Sequence, residues 1–88
     1  ITNLGLQITT VGDCHAAGAD TIVRANVREK RYERFFILNG ILEGAVLINN
    51  FRDKPHIAKL IQQRIPIDQY RKDLENLAFD ITSIPVIS

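Results

Sequence analysis

Cys14 and His15 stand side by side, and a thiol beside an imidazole is the pairing a nucleophilic cysteine needs. Adjacent residues point apart on an extended chain, however, and no third side chain is spaced to orient the base. Cys14 therefore reads as an ordinary small cysteine. His56 falls in the first turn of a predicted helix, where it reads as a solvated residue, and two histidines this far apart make no metal signature. The five glycines are Gly5, Gly12, Gly18, Gly40 and Gly44. They cannot be assembled into the Gly-x-Gly-x-x-Gly or Gly-x-x-x-x-Gly-Lys turns that cradle a phosphate at a helix N-terminus. There is no Cys-x-x-Cys, no plausible Ser-His-Asp order and no pair of carboxylates on one face. No catalytic, cofactor-binding or metal-ligating residue is assigned in this chain.

One charged stretch stands out. Arg24, Arg28, Lys30, Arg31 and Arg34 face only Glu29 and Glu33 between residues 24 and 34, five positive against two negative. Interspersed charge at a sheet turn commonly marks a solvated end; its functional reading is a docking spot for an acidic partner, which such a patch would steer.

Eighty-eight residues with 45% hydrophobic and 24% charged side chains make one folded domain, able to bury about 60–65% of the unfolded chain's surface. The net charge of +1 gives no electrostatic footprint for nucleic acid. No apolar run reaches the roughly 20 residues that a membrane-spanning helix needs. The single cysteine offers no disulfide framework, so a reducing, cytoplasmic compartment is the expectation. The chain has no methionine and reads as a piece of something larger.

These residues are positioned by a predicted sheet. Residues 6–11 alternate as a half-buried strand closed by Gly12-Asp13, and residues 21–28 alternate again. Glu29-Lys30 reads as a polar turn. Asn39-Gly40 between two apolar runs is a strong hairpin signal, because a type I′ turn requires positive φ at both central residues. That turn pairs Leu38 with Ile41 and, continued without interruption, sets Phe35 opposite Gly44, whose missing side chain leaves room for the ring. Uninterrupted alternation puts Phe35, Ile37, Leu42, Val46 and Ile48 on one face and Tyr32, Phe36, Leu38, Ile41 and Leu47 on the other. A tight Glu29-Lys30 turn adds Val23, Ala25 and Val27 to the Tyr32 and Phe36 face; a longer or bulged turn reverses this. Asp53 as N-cap, Pro55, and the Ile57, Leu60, Ile61 stripe predict a helix ending near Gln63 or Arg64. A second helix starts at Asp68 with Tyr70, Leu74 and Leu77 on its buried side. The fold class is α+β, a four-stranded, mainly antiparallel meander sheet with one or two helices on one face. The core spans about residues 5–78, residues 1–4 are a linker end, and residues 79–88 are an edge strand or an ordered tail.

Tyr32, the apolar run 35–38, Asn39-Gly40 and Gly44-Ala45-Val46-Leu47-Ile48 resemble a stretch of one particular domain. It is the small C-terminal domain of FAD-dependent pyridine nucleotide-disulfide oxidoreductases of the rubredoxin reductase and nitrite reductase large-subunit type. Residues 6–13 resemble its opening strand and residues 56–67 its helix, so the likeness covers roughly residues 5–67. Two positions depart from the pattern: Asn49 stands for a glycine, and Arg64 or Ile65 replaces the glycine after the helix. An apolar strand ending in Gly-Asp, like residues 8–13, also occurs in the FAD-binding domain of these flavoproteins, with the aspartate on the flavin. There a helix follows at once, whereas here a β-rich segment does, so Asp13 reads as a strand-end turn.

The resemblance implies a parent oxidoreductase using FAD and NAD(P)H on other domains, with this chain at the acceptor side and contributing no catalytic group. It also implies an acidic electron carrier as a partner. The rival reading is a self-standing interaction or oligomerisation module. Both sheet faces are apolar while the helices suffice for about one, so the other face is expected to be a contact surface. Phe36, Leu38, Ile41 and Leu47 are its expected members. They would meet the preceding domains of the parent, or a second copy of the chain when excised.

Overall fold

Asn39 and Gly40 turn the chain as their residue types require, with φ of +54° and +76° and Leu38 paired to Ile41. The structure, a computed structural model, describes residues 2–3 and 6–87. Ile1, Leu4, Gly5 and Ser88, assigned above to the linker end, the core boundary and the tail, lie outside them. Strands β1 (Thr2–Asn3), β2 (Leu6–Gly12), β3 (Asp20–Asn26), β4 (Arg31–Leu38) and β5 (Ile41–Ile48) form one sheet in the order β1-β2-β5-β4-β3. Every pairing is antiparallel. The four long strands make the expected α+β sheet, with β3, β4 and β5 as the meander and β2 on the edge beside β5. Thr2 and Asn3, read from sequence as a linker end, instead pair with Gln7 and Leu6.

The β3–β4 turn is longer than a two-residue Glu29-Lys30 hairpin, since Asn26 pairs with Arg31 and four residues lie between them. Contrary to expectation, the longer turn does not reverse the faces, because the two additional residues are an even number: Val23 and Ala25 still share a face with Tyr32 and Phe36, and Val27 falls in the turn itself.

Uninterrupted alternation fails once, in β5. Phe36 pairs with Gly44 but Ile37 with Leu42, so Glu43 is the extra residue of a β-bulge. Beyond it every side chain of β5 changes face. Phe35 lies opposite Ala45, not Gly44; Ala45 and Leu47 turn inward, while Val46 and Ile48 turn outward. Leu47, expected on the contact face, is 0% exposed. The cause is the end of β2. Gly12 pairs with Gly44 at φ +69°, and the Asp13 amide donates to the Glu43 carbonyl at 2.9 Å. A Cβ on Gly44 would run into the Asp13 backbone, and one on Gly12 into the Glu43 carbonyl. Gly44 is bare so that another strand end can cross it.

Helix α1 (Lys54–Gln62) follows as predicted, with Pro55 in its first turn and Ile57 and Leu60 buried. The second helix is shorter than its spacing implies. A 3-10 turn, Asp68–Tyr70, runs into the four-residue α2 (Arg71–Leu74), which leaves Leu77 beyond the helix. The remaining chain is no edge strand. Its 3-10 turn Ile81–Ser83, held by the Asp80 carboxylate accepting from the Thr82 amide and hydroxyl at 3.0 and 2.7 Å, buries Ile81. Ile84 is buried just beyond it. Gln63 brackets Ile87 with two 2.7 Å bonds. His56 is not merely solvated, since its Nε2–H donates to the Ile84 carbonyl at 2.7 Å. Ile57, Leu60, Ile67, Leu74, Ile81 and Ile84 thus pack on the inward face against Ile22, Phe35, Ile37, Leu42, Ala45 and Leu47.

The hairpin carries the first expected result. A Cβ on Gly40 would sit 2.5 Å from a carboxylate oxygen of Asp68, and a β-branched residue resists positive φ. Gly40→Val is therefore expected to cost about 1–2 kcal/mol, read as a lower urea midpoint at unchanged slope.

Candidate docking surface

The inward face holds a charged cluster that explains where part of the basic stretch goes. Arg24 is 2% exposed and Glu33 0%, because β3 and β4 set them opposite each other on the core side. Arg24 Nε donates to Glu33 Oε1 at 2.7 Å, and its Nη1 donates to the carbonyls of Asn76 and Phe79 at 2.9 Å each. The other Glu33 oxygen accepts from Arg31 Nε at 2.7 Å and Asn50 Nδ2 at 2.6 Å. Asn50 also donates to Asp53, which takes a bond from Arg52 Nε as well. Asp53 occupies the N-cap position of α1 but caps nothing with its side chain, being spent on these contacts. Its hydrogen bond and charge raise the Arg52 guanidinium above the ordinary arginine range.

This cluster is a brace. It ties the sheet to the start of α1 and to the segment after α2, and Arg24 is withdrawn from the acidic-partner patch to which the sequence assigned it. Arg31 is half withdrawn. Arg28 and Lys30 stand exposed in the β3–β4 turn, and Arg34 stands exposed on the opposite face.

That opposite, outward face is built of three rows across four strands. The first runs Ile8, Ile48, Tyr32, Ala25; the second Thr10, Val46, Arg34, Val23; the third Gly12, Gly44, Phe36, Thr21. Helix α1 packs against β2 and β5 and α2 against β3, and their buried residues join the inward core, so among the described residues no helix covers these rows. Ile8 and Val23 are exposed, and Tyr32, Phe36, Val46 and Ile48 are half-buried. Two open depressions score the face. One, of about 430 Å³, lies by Ala25, Tyr32 and Ile48; the other, of about 500 Å³, by Thr10, Cys14, His15, Arg34 and Phe36. Phe36 and Leu38 fall on the outward side as expected. Ile41 shares that side and is half-buried, its backbone bridged to Pro66. The members missed from sequence are Ile8, Val46 and Ile48. Tyr32 lies on this face as its alternation with Phe36 requires.

Cys14 and His15 line the same depression, and among the described residues no hydrogen bond joins their side chains. The thiol lies 3.3 Å from the Ala45 carbonyl, to which it donates, while the His15 amide donates to the Asp13 carboxylate at 2.8 Å. Asp13 is thereby engaged in a strand-end turn of its own loop. Among the described residues, no group of three or more His, Cys, Asp or Glu side chains could hold a metal ion, and no helix is long and apolar enough to cross a membrane.

The two departures from the glycine pattern keep the backbone that glycine would supply. Asn49 has φ +59° and Arg64 φ +52°. Asn49 offsets the strain with its side chain, accepting from the Gln7 amide at 2.9 Å and donating to the Lys30 carbonyl at 2.8 Å. Arg64 lies 3.8 Å from Glu43.

Compared with known families, residues 2–65 match the rubredoxin NAD+ reductase C-terminal domain. No curated protein matches the chain.

Proposed function

The chain belongs to the rubredoxin NAD+ reductase C-terminal domain family. On that premise we propose that it docks, by the outward face of its sheet, against the nucleotide-binding domains of a parent oxidoreductase that uses FAD and NAD(P)H. In such an enzyme hydride passes from nicotinamide to flavin, and electrons then leave for an acceptor. The chain contributes shape on the acceptor side and no catalytic group. The observation that carries this reading is the distribution of cover. Both helices and the segment after them pack on the inward face, while Ile8, Tyr32, Phe36, Val46 and Ile48 stay on the outward one. Contiguous apolar surface of this kind marks an interaction site. Arg28 and Lys30, exposed at the end of the sheet and paired with no carboxylate among the described residues, are the cations of this stretch outside the outward face that steer a small acidic carrier such as a rubredoxin.

Calorimetry tests the division of labour. The 88-residue chain is expected to bind neither FAD nor NADH, whereas the full-length parent carries flavin absorbance and oxidises NAD(P)H. A dissociation constant for the chain alone tighter than about 10 μM, some 7 kcal/mol, would place a cofactor site in it and overturn the assignment.

A further inference from the structure

We propose that the surface covering the outward face carries a carboxylate that pairs with Arg34, and that this surface belongs to the parent's preceding domains and not to a second copy of the chain. This rests on the reading of the outward face as the docking surface. Arg34 sits in the middle row between Val46 and Val23, with Tyr32 and Phe36 two residues to either side on its own strand. Arg24, Arg31, Arg52, Arg64 and Arg71 each lie against a carboxylate. Arg34 is exposed and has no such partner among the described residues.

A partner laid over the apolar rows removes Arg34 from water, and a guanidinium buried without a counter-charge is strongly unfavourable. The partner must therefore bring an anion, and the depression of about 500 Å³ beside Arg34, which Thr10 and His15 also line, has room for an aspartate or glutamate side chain. A second copy laid face to face does not supply it from these rows. None of the twelve residues in the three outward rows is acidic. A two-fold axis passing near Arg34 would also set the two Arg34 side chains near each other, and like charges in a desolvated interface oppose association.

Cys14, half-buried at the rim of the same depression, reports whether the face is covered. Its alkylation by iodoacetamide is followed by peptide mass spectrometry in the full-length parent and in the 88-residue chain, and the ratio of the two rates measures cover. Taking the ratio within each variant divides out any direct effect of residue 34 on the thiol. The expected result is roughly tenfold slower alkylation in the parent, retained by Arg34→Lys and lost in Arg34→Glu and Arg34→Met. If Arg34→Glu and Arg34→Met stay covered while Phe36→Asp loses cover, no carboxylate meets Arg34; the proposal fails and the docking reading stands. If the wild-type parent shows no cover, or Phe36→Asp keeps it, the docking reading fails and takes the proposal with it. Sedimentation of the full-length parent tests the partner: a parent dimer that Phe36→Asp dissociates would assign the face to a second copy and overturn the proposal, whereas a parent whose oligomeric state Phe36→Asp leaves unchanged is the expected result.

Discussion

Phe35→Asp is expected to leave the chain unfolded in water, whereas Phe36→Asp, one residue along the same strand, is expected to leave it folded. Phe35 is 0% exposed and pairs with Ile22 on one side and Ala45 on the other. Truncating a buried phenylalanine costs about 3–5 kcal/mol, and a carboxylate placed there is desolvated as well. Arg24 lies over the ring at 5.4 Å; its Nε and Nη1 are engaged by Glu33 and two carbonyls, and its Nη2, buried without a partner among the described residues, offers one bond that offsets only part of the cost of burying the carboxylate. The loss is comparable to the whole stability of a domain this size, about 5–10 kcal/mol. Phe36 points outward and is half-buried, so its replacement forfeits on the order of 1 kcal/mol. Circular dichroism and urea titration separate the two. Similar behaviour of both variants would mean that the register of β4 is wrong.

Glu33→Ala is expected to cost about 3–5 kcal/mol, because removing one partner of a buried pair leaves the other charge uncompensated. Arg24 would keep its two carbonyls but lose its only carboxylate, and Arg31 and Asn50 would lose an acceptor. Replacing both Arg24 and Glu33 with leucine should cost less than the sum of the single changes, since a hydrophobic pair removes the stranded charge. The measurement is a double-mutant cycle in urea. A Glu33→Ala cost below about 1 kcal/mol, the range of exposed ion pairs, would show that the cluster is solvated and braces nothing.

These two residues also show where sequence reasoning stopped. The hairpin was legible because Asn39-Gly40 states its own dihedral angles, and β2, β3 and α1 followed from alternation and from a single apolar stripe. The conclusion that one apolar face would lack a cover was also legible, since it needs only a count of helices. The membership of that face was not. One extra residue at Glu43 reverses everything after it, and the bulge depends on Asp13 crossing Gly44, a contact 31 residues apart in sequence. Two glycines, Gly12 and Gly44, were the visible signal, but they could be read together only once β2 was known to pair with β5. Arg24 and Glu33 look like the wet side of a strand, because a buried ion pair has the same letters as a solvated one. Asp53 likewise has the type of an N-cap and the work of a counter-ion.

The account turns on the outward face being what the domain docks by, and hydroxyl-radical footprinting reads this directly. Oxidation of Tyr32, Phe36 and Ile48 is compared between the 88-residue chain and the full-length parent, with exposed Phe51, outside the three rows, as the internal reference. The account predicts that these outward side chains are oxidised in the isolated chain and protected in the parent, while Phe51 is oxidised about equally in both. Equal oxidation of Tyr32, Phe36 and Ile48 in the two forms, with protection appearing at Phe51 instead, would contradict it.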